Sequence, residues 1–226
     1  MTTNVIIADA EYIDNVAFNL IVNFERMIGR HIPPADIAQW VECVGMDGGM
    51  RIKANKAAGN GDAPTDNSKD AADNAPTADR AAQECQVLLV HNAKTAELRN
   101  FSPAALQTQL NGQAFTGELG EFTFSTVAAD EKSEVMTKAD IIKDLLAAMA
   151  DEDSVKRVMV IPDLDNPENG MLEMLMPVLR HLDRECPDMR VTLFAMQPLT
   201  GVPCRTEILG YSLMAALGIK SSEIPQ

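Results

Sequence analysis

The sequence predicts a three-layer α/β/α domain built on a mainly parallel sheet of about five strands. Short apolar runs of strand length alternate along the chain with longer segments whose apolar residues recur every three or four positions. Because each parallel return needs a crossover of about a dozen residues, this alternation predicts parallel strands covered by helices on both faces. The chain has 226 residues, 46% of them hydrophobic, which is enough for one hydrophobic core. We expect residues 1–52 and 85–226 to form a single domain around that core.

The first third of the chain contains one predicted strand and two predicted helices. Residues 4–8 (NVIIA) form a short apolar strand, and the residues that follow place apolar side chains from Ile13 to Met27 on one helical face. Pro33 and Pro34 are predicted to open a second helix that runs through Val44 and ends at Gly48 and Gly49.

Residues 53–84 differ in composition from the rest of the chain. They contain no Val, Ile, Leu, Met, Phe, Trp, Tyr or Cys, and therefore have no large apolar side chain to bury. We expect a disordered surface loop. An inert insertion is favoured over a tether for a partner, because long loops add little closure entropy.

The remaining elements continue the alternation. Predicted strands cover residues 86–90, 121–127, 158–161 and 190–196. One predicted helix starts at Ser102 and another at Thr137, and two more cover residues 171–182 and 206–217. The helix that starts at Thr137 carries the spacing of a capping box, with Asp140 as its acidic member.

The composition limits which partners and which cellular compartment we expect. The formal charge of −14 and the pI of about 4.5 disfavour a DNA-binding surface or a polybasic membrane patch. The first residues lack a basic region and a long apolar run, and no stretch of eighteen apolar residues occurs, so we expect a cytosolic protein. Its four cysteines form no CxxC pair, which indicates reduced thiols.

Acidic and polar residues follow the predicted strands, where open parallel sheets bind ligands. Asp9, His91 and Asn92, Asp163 and Asp165, and Gln197 stand at these strand ends, and Asp140 starts a helix. If the first strand and the 158–161 strand are neighbours, several carboxylates would share one cleft, and a divalent cation would relieve their repulsion. The alternative is structural, because Asp is also selected at helix caps and turns.

The order of these residues resembles the NYN branch of PIN-like ribonucleases. The resemblance covers the first fifteen residues and roughly residues 138–196, with Asp9 after a strand, the segment KADIIKD on a helix, and Asp163-Leu-Asp165 after another strand. It implies a parallel α/β sheet in which Asp9, Asp140, Asp163 and Asp165 hold Mg²⁺ or Mn²⁺, and in which the metal activates water to hydrolyse RNA.

The sequence is compatible with two functions. It has no Gly-rich dinucleotide motif, P-loop or GxSxG elbow, so a non-catalytic protein that binds a partner or itself is favoured. Such a protein would expose an apolar patch, for which residues 171–176 and 208–217 are candidates. The alternative is a metal-dependent phosphodiesterase with Asp9, Asp140 and Asp163 as catalytic residues, and only this alternative requires RNA as a partner.

Overall fold

A seven-stranded, mostly parallel sheet with helices on both faces forms the centre of the protein. The structure, a computed structural model, describes residues 2–52, 83–130 and 136–224. It confirms the predicted α/β fold class. The prediction of a disordered loop over residues 53–84 falls outside the described residues, except that Gln83 and Glu84 belong to a strand.

The strands and helices have the following bounds. The strands are β1 (Asn4–Asp9), β2 (Ala35–Asp36), β3 (Gln83–Asn92), β4 (Phe101–Ser102), β5 (Ala114–Thr116), β6 (Gly120–Ala129), β7 (Arg157–Ile161), β8 (Arg190–Ala195) and β9 (Arg205–Ile208). The helices are α1 (Ala10–Ile28), α2 (Ile37–Asp47), α3 (Lys138–Ala148), α4 (Met171–Glu185) and α5 (Leu209–Ala216).

The order of strands in the sheet is β5-β6-β3-β1-β7-β8-β9, and only β5 is antiparallel to its neighbour. Numbered along the chain, the six parallel strands read 3-2-1-4-5-6, which is the doubly wound order. From β1 the chain adds β3 and β6 on one side of the sheet. It then crosses to the other side of β1 and adds β7, β8 and β9. The switch point therefore lies between β1 and β7.

The predicted count of about five strands is too low by two. The strand β5 is a three-residue antiparallel edge, too short to stand out as an apolar run. The strand β9 occupies the place where the sequence predicted the start of the last helix, and that helix begins only at Leu209. The residues Arg205-Thr-Glu-Ile pair with β8, whose outer edge would otherwise be unpaired.

Two further helix predictions need correction. Pro33 and Pro34 lie outside α2, whose N-cap is Asp36; the side chain of Asp36 accepts hydrogen bonds from two backbone amides of the first turn. The predicted helix after Ser102 is replaced by the short strand β4 and a single π-helical turn at Leu106–Leu110. Ala35 and Asp36 pair with Phe101 and Ser102 as short parallel strands, so both segments are extended where helices were predicted to begin.

The strand β1 is buried on both faces and joins two apolar clusters. Ile6 and Ala8 belong to the cluster under α1, α2 and α5, whereas Val5 and Ile7 belong to the cluster under α3 and α4. This alternation follows from the period of two along a strand. All six residues of β1 are therefore buried, including Asp9 at its carboxyl end. No helix within the described parts of the chain has both the length and the apolar content that crossing a bilayer needs.

The burial of β1 predicts a large difference between two isoleucines. Ile7 is 0% exposed, whereas Ile52 is 53% exposed. We expect Ile7→Ala to lower the free energy of unfolding by about 3 kcal/mol, because it removes apolar contacts and leaves a cavity. The matched change Ile52→Ala should cost less than about 0.5 kcal/mol. Urea unfolding measures both, and equal losses would contradict the central position of β1.

Candidate functional site

A crevice of about 420 Å³ lies beyond the carboxyl ends of four adjacent strands, β6, β3, β1 and β7. This position is the switch point of the sheet, where open α/β sheets bind ligands. The crevice is lined by charged, polar and apolar side chains: Asp9, Asn92, Ala129, Asp130, Met136, Thr137, Lys138, Ala139, Asp163, Asn166, Asn169 and Met171. Its volume falls within the range of about 300–1,000 Å³ typical of small-molecule sites.

Asp9 ends β1 and is 2% exposed. Its Oδ1 caps helix α1 by accepting a hydrogen bond from the backbone N–H of Tyr12 at 3.0 Å. The same oxygen lies 2.7 Å from the Nζ of Lys138. Burial raises the pKa of Asp9, because the loss of water disfavours the carboxylate more than the nearby ammonium favours it.

Lys138 is the first residue of α3, and its ammonium lies between two carboxylates. Its Nζ donates to Asp9 Oδ1 at 2.7 Å and to Glu11 Oε2 at 2.8 Å. Burial alone would lower the pKa of Lys138, but the two carboxylates more than offset it, and the pKa is raised. The ammonium therefore stays charged at neutral pH.

Glu11 joins this ion pair to the end of the neighbouring strand. Its Oε1 accepts a hydrogen bond from the backbone N–H of Asn92, at the end of β3, at 2.7 Å. Burial would raise the pKa of Glu11, but the hydrogen bonds from Lys138, Thr95 and Asn92 together lower it. The network Asp9–Lys138–Glu11 thus ties β1, β3, α1 and α3 together at the edge of the crevice.

Asp140 serves the helix rather than the crevice. Its carboxylate accepts hydrogen bonds from the backbone N–H and the hydroxyl of Thr137, and the Thr137 hydroxyl in turn accepts from the backbone N–H of Asp140. This is the capping box that the sequence predicts. The hydrogen bonds to Thr137 lower the pKa of Asp140, and Lys143 lies 3.5 Å from its Oδ1.

Asp163 and Asp165 belong to the turn that follows β7. Asp163 Oδ1 accepts a hydrogen bond from the backbone N–H of Asp165 at 3.2 Å. Asp165 Oδ2 accepts from the hydroxyl of Tyr12 at 3.1 Å, and its pKa is raised, mainly by burial. Burial and the charges of Asp165 and Asp163 also raise the pKa of Tyr12. The hydroxyl of Tyr12 therefore stays protonated at neutral pH and remains a hydrogen-bond donor.

The structure brings two of the four predicted metal ligands to one crevice, Asp9 and Asp163. Asp140 is held in its capping box, and Asp165 is bonded to Tyr12. Across residues 2–52, 83–130 and 136–224, no three His, Cys, Asp or Glu side chains are placed to hold a metal ion together. Among the described residues, the cation beside Asp9 is the ammonium of Lys138. The alternative of caps and turns is confirmed for Asp9, Asp140 and Asp163.

Two other strand-end residues lie away from the crevice. His91 is buried, its Nδ1 lies 2.8 Å from the Asn92 carbonyl oxygen, and its Nε2 has no hydrogen-bond partner among the described residues. Gln197 lines a separate cavity of about 410 Å³ beside α1, together with Asp165. Neither residue contributes to the crevice at the switch point.

The exposed apolar patch that self-association would need is not found on α4. Met171 and Leu175 are buried, and Met174 and Met176 are half-buried. On α5, Tyr211 is 70% exposed while Leu209, Leu213 and Ala216 are buried. The large apolar side chains that are exposed in the described parts lie on several elements: Phe18, Met27, Met46, Ile52, Met136 and Tyr211.

Sequence reasoning missed Lys138, the residue on which the charge of the crevice depends. One signal was present: a lysine in the first turn of a helix opposes the helix dipole. A cation at that position indicates an acidic partner elsewhere in the fold. Asn166 and Asn169, which also line the crevice, sit in a segment whose Asp, Asn and Pro content indicated only a turn.

Comparison with known proteins adds a family. A family model described as a family of unknown function, DUF6621, matches residues 1–58 and 73–224. The chain belongs to the DUF6621 family. No curated protein and no solved structure matches it. All four strands whose ends form the crevice lie within the matched residues.

The ion pair of this DUF6621 protein can be tested by removing its cation. We expect Lys138→Met to lower the free energy of unfolding at pH 7 by about 3 kcal/mol, because it leaves the buried Asp9 carboxylate unpaired. Without the ammonium, the pKa of Asp9 rises further above 3.8 in the folded state. The folded state then takes up a proton more readily than the unfolded state, so the deficit should shrink as the pH falls from 7 towards 4.

The measurement is urea unfolding of wild type and variant between pH 4 and 7. Lys143→Met is the matched control, because Lys143 lies on the same helix and pairs with the more exposed Asp140 and Asp144. The control should change the free energy of unfolding little at any pH. A deficit for Lys138→Met that is independent of pH would contradict the assignment.

Proposed function

We propose that the protein is a binding protein without metal-dependent catalysis, and that the crevice at the switch point holds a small polar ligand. The single observation that carries this proposal is the position of the Lys138 ammonium, within 2.8 Å of two carboxylates. A metal-dependent hydrolase needs a cation with open coordination positions at that place. An ammonium neutralises carboxylates but cannot activate water as a metal does. The cytosolic location expected from the sequence is part of the proposal, supported by four free thiols.

The charge and shape of the crevice indicate the class of ligand. Among the described residues, three carboxylates and one ammonium line it: Asp9, Asp130, Asp163 and Lys138. This excess of negative charge disfavours an anionic ligand such as a phosphodiester. Three asparagines and Thr137 offer donors and acceptors, while Met136, Met171 and two alanines offer apolar contact. The ligand that fits is a small molecule that is neutral or cationic and has several hydrogen-bonding groups.

A second function, a metal-dependent phosphodiesterase of the PIN-like kind, is favoured by one observation. Asp9 ends β1, Asp163 follows the adjacent strand β7, and both line the same crevice. The resemblance to NYN ribonucleases would make these two carboxylates metal ligands. That function would require a divalent cation to displace the Lys138 ammonium and RNA to enter an acidic crevice, which is why we place it second.

Thermal unfolding with Mn²⁺ or Mg²⁺ separates the two functions. For the binding protein, we expect equal small shifts in Tm for wild type and Asp163→Asn, from diffuse binding to an acidic surface. A specific site at a hundredfold excess over Kd would add about 2.7 kcal/mol, or a shift of about 5 to 10 °C. A shift of that size that Asp163→Asn abolishes, together with metal-dependent RNA cleavage, would establish the phosphodiesterase instead.

The binding function itself is tested by the same unfolding assay with named probes. Agmatine and spermidine represent cationic ligands, adenosine a neutral one, and AMP an anionic one. We expect a cationic or neutral probe to stabilise wild type and to lose its effect in Ala139→Phe, because Ala139 lines the crevice. Ala148→Phe adds the same ring to the exposed end of α3 and should keep the effect. Stabilisation by AMP alone, or by none of the four, would contradict the proposed ligand class.

A further inference from the structure

The ends of three adjacent strands place hydrogen-bond acceptors along the crevice at the switch point. Asn92 ends β3, Asp9 ends β1 and Asp163 follows β7. In the sheet, β1 lies between β3 and β7, and all three side chains line the crevice. They therefore form one row across the sheet, which we call the acceptor row.

One oxygen of the buried Asp9 carboxylate is not used by the fold. Oδ1 accepts hydrogen bonds from both the backbone N–H of Tyr12 and the ammonium of Lys138. Oδ2 accepts from no described residue, although Asp9 is only 2% exposed. Among the described residues, Oδ2 is not one of the polar atoms that are sealed from solvent without a partner, so it is accessible from the crevice that Asp9 lines. A buried, charged acceptor that faces a cavity favours a ligand with a hydrogen-bond donor.

The other two members of the acceptor row also have unused acceptors. Asp163 Oδ1 accepts from the backbone N–H of Asp165, and its Oδ2 makes no hydrogen bond with a described residue. The backbone of Asn92 bonds to Glu11 and Thr95, whereas its side-chain amide has no partner in the described parts of the chain. The row therefore offers two carboxylate oxygens and one amide oxygen. An ammonium group has three N–H donors and no acceptor, so one such group can use all three.

The negative charge around the acceptor row exceeds the positive charge that the described residues supply. Asp9 and Glu11 share the single ammonium of Lys138. In the described ranges, no lysine, arginine or histidine forms an ion pair with Asp163 or Asp165. The charge of Asp163 contributes, after burial, to the raised pKa of Asp165. A further cation in the crevice would relieve this repulsion, and Glu11 reduces the repulsion between that cation and Lys138.

We propose that the crevice binds a small organic amine, whose primary ammonium group is held by Asp9 Oδ2, Asp163 and Asn92. This inference rests on the proposed binding function and narrows its ligand from neutral or cationic to cationic. The pairing of Lys138 with Asp9 Oδ1 at 2.7 Å shows that an ammonium fits beside this carboxylate. A compact ammonium can approach a carboxylate that is almost fully buried more easily than the broad, planar guanidinium can.

The remaining side chains of the crevice define the body of the amine. Asn166 Oδ1 accepts from the backbone N–H of Glu168, which leaves the side-chain N–H groups of Asn166 for a hydroxyl or carbonyl oxygen of the ligand. Apolar contact is offered by four residues: Ala129, Met136, Ala139 and Met171. Methionine thioethers adapt to flat and irregular apolar groups, including aromatic rings. The amine that fits has a short apolar body and a second hydrogen-bonding group away from its ammonium.

Isothermal titration calorimetry at pH 7 and fixed ionic strength tests the inference with tyramine and tyrosol. The two probes share the 4-hydroxyphenylethyl body, and tyrosol has a hydroxyl group where tyramine has an ammonium. We expect saturable binding of tyramine to wild type with an affinity at least tenfold higher than that of tyrosol, because charge-assisted hydrogen bonds are stronger than neutral ones.

Three variants locate the ammonium. Asp9→Asn removes the charge and keeps a side-chain oxygen for the helix cap, and Asp163→Asn does the same for the turn after β7. Each should lower the affinity for tyramine at least tenfold and change the affinity for tyrosol little. Asp163 is half-buried in a turn, so Asp163→Asn tests the row even if Asp9→Asn folds poorly. Asp153→Asn is the matched control, because it removes one charge from an exposed residue that lines a different cavity, and it should bind tyramine as wild type does.

The outcomes separate this inference from the proposed binding function. Equal affinity of wild type for tyramine and tyrosol would overturn the ammonium assignment and leave the binding function in place. Equal losses in Asp163→Asn and Asp153→Asn would assign the attraction to the acidic surface and overturn the inference. Absence of tyramine binding would overturn it as well. The binding function fails only if tyrosol and the four probes named above also give no specific binding.

Discussion

The buried carboxylate of Asp9 imposes the constraint around which one end of this protein is organised. A doubly wound sheet places its first strand at the centre, so the last residue of β1 is buried from both faces. A charge in that position must be neutralised or hydrogen-bonded. Asp9 achieves both, because it caps α1 and pairs with Lys138. The same residue therefore fixes the start of the first helix and the position of α3 over the sheet.

The chemistry open to the crevice follows from how that charge is compensated. Acidic residues at strand ends can be compensated by a metal ion, which brings reactivity, or by a side-chain cation, which brings only attraction and hydrogen bonds. Here Lys138 supplies the charge from within the fold, and Glu11 accepts its second hydrogen bond. The crevice keeps its volume and its hydrogen-bonding groups, so it remains suited to binding.

Much of this arrangement could be predicted from local sequence. The apolar runs predict the central strands, and Asp at a strand-to-helix boundary predicts a cap, as Asp9 shows. The spacing Thr137 to Asp140 predicts the capping box. The site itself could not be predicted in full, because Lys138 lies 129 residues from Asp9 and 127 from Glu11 along the chain. The strand β9 was not predicted because none of its four residues is fully buried and its pairing depends on β8. Local patterns thus predict most of the central strands and the caps at Asp9 and Thr137, whereas the pairing of charges depends on the tertiary structure.

The most direct test of this account is a double-mutant cycle on Asp9→Asn and Lys138→Met. Asparagine keeps the helix cap while removing the charge, so the cycle isolates the ion pair. The account predicts that Asp9→Asn restores much of the stability that Lys138→Met removes, with a coupling free energy of about 2 kcal/mol or more in urea unfolding at pH 7. Additive effects, within about 0.5 kcal/mol, would show that Lys138 does not compensate Asp9 and would contradict the account.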